Sequence, residues 1–300
     1  MAHFLLLPGL LPQFLADVPV SGVLPIYVAG SVYLAVIFIG LLLDLFLFGR
    51  FLTSPFDWDG MAARIRSRPW FIKDALWIVL ILMFIQACAG LVHWGGVKLG
   101  WFGSDEKETV MALIQGMLFH GVALLIVWTF IRRRNGSWDG AFGMNRPGMS
   151  RAAGQGLASY IGIIPIVFVT SVFYQLFLYA AGYPVTLQDV VTIFLEPQSG
   201  WNLFFLLLLA MVVAPFVEEA LFRGILLPVL MKKMGAGTAV VISSLFFAAI
   251  HQHLPSMVPL FVLAVVLAML YIHSGSLWAP IVLHAAFNGV SICILLLTST

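Results

Sequence analysis

Residues 202–231, NLFFLLLLAMVVAPFVEEALFRGILLPVLM, decide how the chain is read. A membrane span needs roughly 20 predominantly apolar residues, and this run satisfies that length. Yet Glu218, Glu219 and Arg223 lie in its interior. An ionisable side chain at mid-membrane costs ~2.5–3.5 kcal/mol on insertion scales, so such residues need a reason. Glu219 and Arg223 stand at i,i+4 and share a helix face, where they pair. Glu218 lies about 100° around the helix from Glu219 and faces elsewhere. A single arginine does not need two adjacent acids pointing in different directions, so Glu218 is the acid left for chemistry. Pro215 precedes it by one turn; it removes a helical hydrogen bond and crowds the carbonyl of Met211, and a kink is expected there.

The rest of the chain is of the same class. It has 300 residues, 62% hydrophobic and 9% charged, with a mean hydropathy of +1.05. Soluble domains carry about 25% charged residues, so the composition is that of a membrane protein. Apolar runs at 24–48, 72–95, 109–131, 156–181, 202–231, 237–251, 256–272 and 277–297 predict an all-α polytopic transmembrane bundle of about eight spans. Arg50, Arg64, Arg66, Arg68 and Lys73 crowd one connection, Arg132, Arg133, Arg134, Arg146 and Arg151 another, and Lys232 and Lys233 end the fifth span. The remaining connections hold Lys98 and Lys107, offset by Asp105, Glu106 and Glu108, or the acids Asp189 and Glu196 alone. Basic connections stay cytoplasmic, and eight spans then place both termini outside, in a plasma membrane of bacterial type. Segments 51–71 and 132–155 are the polar cytoplasmic parts, each with room for a short amphipathic helix. Met1–Gly22 has no Lys or Arg, so it lacks the positive region of a secretory signal and is expected to be retained as an interfacial segment. A net charge of +2 without a basic face argues against a nucleic-acid partner. Cys88 and Cys293 lie in apolar runs and form neither a metal-ligand spacing nor a disulfide framework.

Unusual polar residues gather in the second half, so 1–155 reads as scaffold spans and 156–300 as the working core of one continuous bundle. The run 237–251 covers only ~22 Å, too short for ~30 Å of hydrocarbon. His251, Gln252, His253 and Pro255 should therefore break the helix at membrane depth, where irregular backbone is tolerated only inside protein or beside a cavity. Phe247 and His251 share a face at i,i+4, as do His284 and Asn288 in the last span. Measured from the nearest cytoplasmic turn, Glu218, His251, His284 and Asn288 lie at depths of ~21, ~22, ~12 and ~18 Å. Three helices thus bring a carboxylate, imidazoles and an amide to a similar level. His93, His120, His273 and Asp44 are read as packing, hydrogen-bonding or snorkelling residues.

A carboxylate beside a neutral imidazole activates water as a general base. A second His and an Asn can donate to a developing oxyanion. The set therefore suits hydrolysis of an amide by water, and no Ser or Cys is tied to a His by a recognisable motif. The alternative is zinc held by Glu218, His251 and His284 with one position open. There is no HExxH helix, and the spacing leaves both mechanisms open.

EEALFRG at 218–224, FAAIH at 247–251 and HAAFN at 284–288 resemble the motifs of the CPBP family, the CAAX proteases and bacteriocin-processing membrane proteases that include Rce1-like and Abi proteins. SLWAPIVLH at 276–284 looks like the family as well, and the resemblance covers about 200–297. It implies an intramembrane endopeptidase in which Glu218 and His251 activate water, His284 and Asn288 form the oxyanion hole, and Glu219, Arg223 and Phe247 support the site. Family members carry a metalloprotease label, while the Rce1 structure suggests a metal-free glutamate mechanism. The expected partners are a protein or peptide substrate, which in the family's manner can be membrane-associated, and the bilayer. The competing function on the same fold is a non-catalytic immunity or regulatory binding protein. A transporter is a third class, without the paired inverted repeats that would support it.

Overall fold

The computed structural model describes residues 20–53, 57–100, 105–134, 136–184, 186–196 and 199–299. Most of Met1–Gly22, the expected interfacial segment, lies outside them. Among the described residues the secondary structure is helical, with no strand. We number the helices α1 (Val20–Thr53), α2 (Trp58–Arg66), α3 (Ile72–Lys98), α4 (Asp105–Arg133), α5 (Trp138–Phe142), α6 (Arg146–Ala180), α7 (Asp189–Leu195), α8 (Gly200–Met231), α9 (Ala236–Ile250), α10 (Leu254–Ser274) and α11 (Trp278–Ser299).

Six of these are long and apolar enough to cross a membrane: α3, α4, α6, α8, α10 and α11. The apolar stretch Gly30–Phe46 of α1 and the whole of α9 are shorter. The order of apolar helices is the one read from the sequence. α6 differs, for it begins at Arg146, ahead of the expected start at 156. Asn145 caps it, its side chain accepting from Gly148 N at 2.8 Å, and Pro147 occupies the first turn. Both suit a helix start, so the polar residues that look like loop continue the span. The two polar segments each hold a short helix, α2 and α5, as expected.

The outside of the bundle is oily. Leu76, Trp77, Leu80, Met83, Phe84 and Leu91 of α3 are all exposed, as a lipid-facing surface requires. The core is shared between both halves of the chain. Ile78 and Leu82 of α3, Val127 and Ile131 of α4 and Phe142 of α5 pack with Val217, Ile225 and Leu227 of α8 and Tyr271 of α10. A second cluster joins Ile163 and Val167 of α6 to Leu263 and Leu267 of α10 and Leu283 of α11.

At the basic end, the cationic residues tie backbone rather than stand free. Arg64 donates to the carbonyls of Ile272 and His273 at the end of α10 (3.2 and 2.9 Å), and Arg68 to those of Asp139, Gly140 and Gly275. Lys232 donates to Arg68 and Trp70 carbonyls, and Arg134 to Pro69 O and the Asp74 carboxylate. Helix ends leave carbonyls unsatisfied, and these cations supply the missing donors. Gly275 ends α10 with φ +68, and a Cβ there would sit 2.3 Å from Arg64 Cζ. The turn therefore requires glycine twice over, for its left-handed backbone and for the close approach of the guanidinium.

Candidate active site

The fifth apolar run is not a uniform α-helix. Within α8, Leu209–Val213 and Ala220–Leu226 are π-helical and bracket the α-helical stretch Ala214–Glu219. In each π segment the closing bond skips a residue: Ala214 N donates to Leu209 O, and Leu227 N to Phe222 O. Each closing residue is followed by a proline, Pro215 or Pro228. A proline has no N–H and its ring crowds the carbonyl four residues back, so a wider turn just ahead of it relieves the clash. Where a kink is expected at Pro215 the helix forms a π segment, and the two carboxylates sit between two such segments.

Glu219 is fully buried, and its Oε1 accepts two hydrogen bonds of 2.8 Å, from Arg223 Nη1 and from His284 Nδ1. Arg223, also buried, donates through Nη2 to Ala264 O of α10 at 3.1 Å and lies 4.5 Å from the centre of the Phe247 ring. The i,i+4 pairing of Glu219 with Arg223 is as read from the sequence. The bond from His284 is not, and it makes Glu219 the junction of α8 and α11.

Glu218 is the more open acid, with 22% of its side chain exposed against none for Glu219. Its Oε2 lies 3.8 Å from His284 Nε2. His284 therefore stands between two carboxylates, bonded to one and facing the other. With Nδ1 donating to the Glu219 carboxylate, Nε2 is the ring nitrogen turned towards Glu218.

His251 caps the end of α9, where the helix breaks as expected. Gln252 takes a left-handed φ of 50, His253 is extended, and α10 restarts at Leu254. His251 Nδ1 lies 2.7 Å from Phe247 O, a carbonyl of the last turn. Donation there leaves Nε2 as the acceptor. The connection from His251 to the carboxylates runs through Phe247. That fully buried ring lies 4.9 Å from the His251 ring, 5.8 Å from the His284 ring and 5.2 Å from Phe222, centre to centre. Asn288, one turn beyond His284, donates from Nδ2 to Ala210 O at 2.9 Å.

The structure thus brings Glu218, Glu219, Arg223, His284 and Phe247 together, with His251 against Phe247 and Asn288 anchored on the backbone of α8. Among the described residues, no three His, Cys, Asp or Glu side chains are grouped so as to hold a metal ion. Glu218, His251 and His284 do not form such a group. Of the other polar residues, His120 Nδ1 is 2.7 Å from Gly116 O within its own helix, and His253 lies beside Thr186 and Ser256. Asp44 lies against α6 at Gly162.

The fold and site define a class, polytopic helical membrane proteins with a Glu-Glu-Arg cluster bonded to histidine inside the bundle. Residues 200–290 match the family model described as Rce1-like, type II CAAX prenyl endopeptidase Rce1-like. All three motifs lie inside this region, and the match supports the CAAX-protease family resemblance that they carry. The chain is also 28% identical over 215 residues to an "uncharacterized 24.3 kDa protein" of Escherichia coli, an alignment spanning 68% of this chain and 91% of that one. No solved structure matches the chain at a significant level.

Proposed function

We propose that the protein is an intramembrane endopeptidase that hydrolyses a peptide bond with water activated by Glu218 and His251. The observation that carries this reading is the unequal use of two adjacent acids. Glu219 is buried and doubly bonded, so its charge is spent on Arg223 and His284. Both acids bury an Oε2 that has no hydrogen-bond donor among the described residues, but Glu218 makes no other side-chain hydrogen bond there and keeps 22% of its side chain open. A carboxylate so placed accepts a proton from water while the oxygen attacks a carbonyl carbon. It returns the proton to the departing amine when the tetrahedral intermediate collapses.

His251, with Nδ1 directed to Phe247 O, offers Nε2 as a second acceptor to the same water. The oxyanion is assigned to His284 and Asn288. His284 Nε2 donates only as an imidazolium, so the proton that Glu218 takes from water would pass to Nε2 while the oxyanion exists and return through Glu218 to the departing amine on collapse. Asn288 has a second N–H beyond the one bonded to Ala210 O. The basic connections face the cytoplasm in this reading, and the water is activated by side chains alone. The substrate class suggested by the matching family model is a prenylated CAAX peptide.

The test uses the full chain in detergent and internally quenched peptides, some ending in a farnesylated CAAX sequence. Glu218→Gln should lower kcat by about 10²–10⁴-fold, the range for loss of a general base, and His251→Ala should lower it as well. Cleavage undiminished in both variants sinks the assignment.

A further inference from the structure

We propose that Asn288 is a positioning residue that stands in for the missing N–H of Pro215 and so holds the π segment that aims the two glutamates. In a π-helical turn each N–H reaches the carbonyl five residues back. Ala214 N does so with Leu209 O. The next bond of this register would run from residue 215 to Ala210 O, and residue 215 is proline. Asn288 Nδ2, on α11, donates to that same carbonyl at 2.9 Å. The bond that α8 cannot make for itself is made from a neighbouring helix.

α11 approaches closely enough for this because Gly289 follows Asn288. A Cβ at Gly289 would lie 2.7 Å from Met211 Cε, a side chain of the same π segment. The bond matters because of where the carbonyl lies. No bulk water is available in hydrocarbon to satisfy a free carbonyl, so an orphan there is costly. It also matters for direction. A π turn takes up about one residue more than an α turn, which rotates all that follows by about 100° relative to an uninterrupted helix. Glu218 and Glu219 follow this segment directly. Its integrity therefore decides whether Glu219 meets His284 or points away.

This inference rests on the reading of Glu218 and Glu219 as site residues, and the experiment separates the two. Amide hydrogen exchange of segment 209–219 is measured on the full chain in detergent for four proteins: the parent, Asn288→Ala, Pro215→Ala and the double variant. Turnover of the quenched peptides is measured in parallel. Asn288→Ala should raise exchange in this segment about tenfold, as expected for an orphaned buried carbonyl. In the Pro215→Ala background, residue 215 supplies its own N–H, and the same substitution should change exchange less than about twofold. Asn288→Leu, which keeps the volume but carries no donor, should behave as Asn288→Ala does. If Asn288→Ala alone does not fold, recovery of folded protein on adding Pro215→Ala carries the same meaning, and failure to recover overturns the proposal. Exchange that is unchanged by Asn288→Ala, or raised equally in both backgrounds, overturns it too. Exchange reports on the positioning role even if no peptide is cleaved, so loss of the peptidase reading would show in turnover alone.

Discussion

Glu218 and Glu219 are chemically identical neighbours, and the structure makes their substitutions diverge. Glu219 has no exposed surface and accepts from Arg223 and His284, both at 2.8 Å, and the Arg223 side chain is only 3% exposed. Glu219→Gln keeps an acceptor oxygen, so the hydrogen bonds have a geometric successor, but the carboxylate charge bonded to a buried guanidinium is gone and only the more weakly acting Glu218 remains to oppose it. Removing one member of a buried ion pair costs about 3–5 kcal/mol, because the remaining charge stays desolvated. At roughly 2–4 °C per kcal/mol for a chain of this size class, the lower end of that range predicts a fall in Tm on the order of 10 °C. Glu218→Gln breaks no side-chain hydrogen bond among the described residues, at a partly open position, and should cost about 1 kcal/mol or less. The assay is thermal unfolding of detergent-purified protein, with peptide turnover on the same samples. Glu219→Gln should be unstable. Glu218→Gln should be stable and inactive. Adding Arg223→Met to Glu219→Gln should recover much of the lost stability, since both charges then leave together. Equal losses of Tm for the two glutamine variants, or no recovery in the double variant, would refute the assigned division between the acids.

Three further outcomes are expected. Gly275→Ala should lower stability by about 1–2 kcal/mol or more, from the left-handed backbone alone; a variant with unchanged Tm and unchanged protease sensitivity of the basic connections would contradict the account of the Arg64 contact. Prolonged treatment with 1,10-phenanthroline should leave turnover within about twofold, as a general base that needs no metal requires; loss that added zinc restores would return the zinc mechanism. Reporter fusions should place segments 57–71 and 136–145 in the cytoplasm, the side that retains basic connections, and the C-terminus outside. A C-terminus on the cytoplasmic side would reduce the number of crossings to an odd one.

The class of fold was legible in the sequence because hydrocarbon imposes one structure on an apolar run of sufficient length. With no water to satisfy the backbone, such a run becomes a helix whatever its neighbours do. The short α9 and the break at His251 were legible for the same reason, as arithmetic of rise against bilayer thickness. So was the pairing of Glu219 with Arg223, which is local and fixed by helical spacing. The start of α6 was not, because its polar first turns look like a loop until the Asn145 cap is seen.

What lay beyond the sequence is the geometry between helices. That His284 bonds Glu219 and merely faces Glu218 depends on the rotation of α8, which two π segments reset ahead of Pro215 and Pro228. The prolines were visible, but whether a helix answers a proline by kinking or by widening its turn is settled by what can supply the missing hydrogen bond. Here Asn288 supplies it for Ala210, from a helix 78 residues away in sequence. The identities of the polar residues therefore belong to the sequence, since only burial-averse groups need explaining in lipid. Their assignment to roles belongs to the tertiary structure, because hydrogen bonds are satisfied by whichever helix comes near.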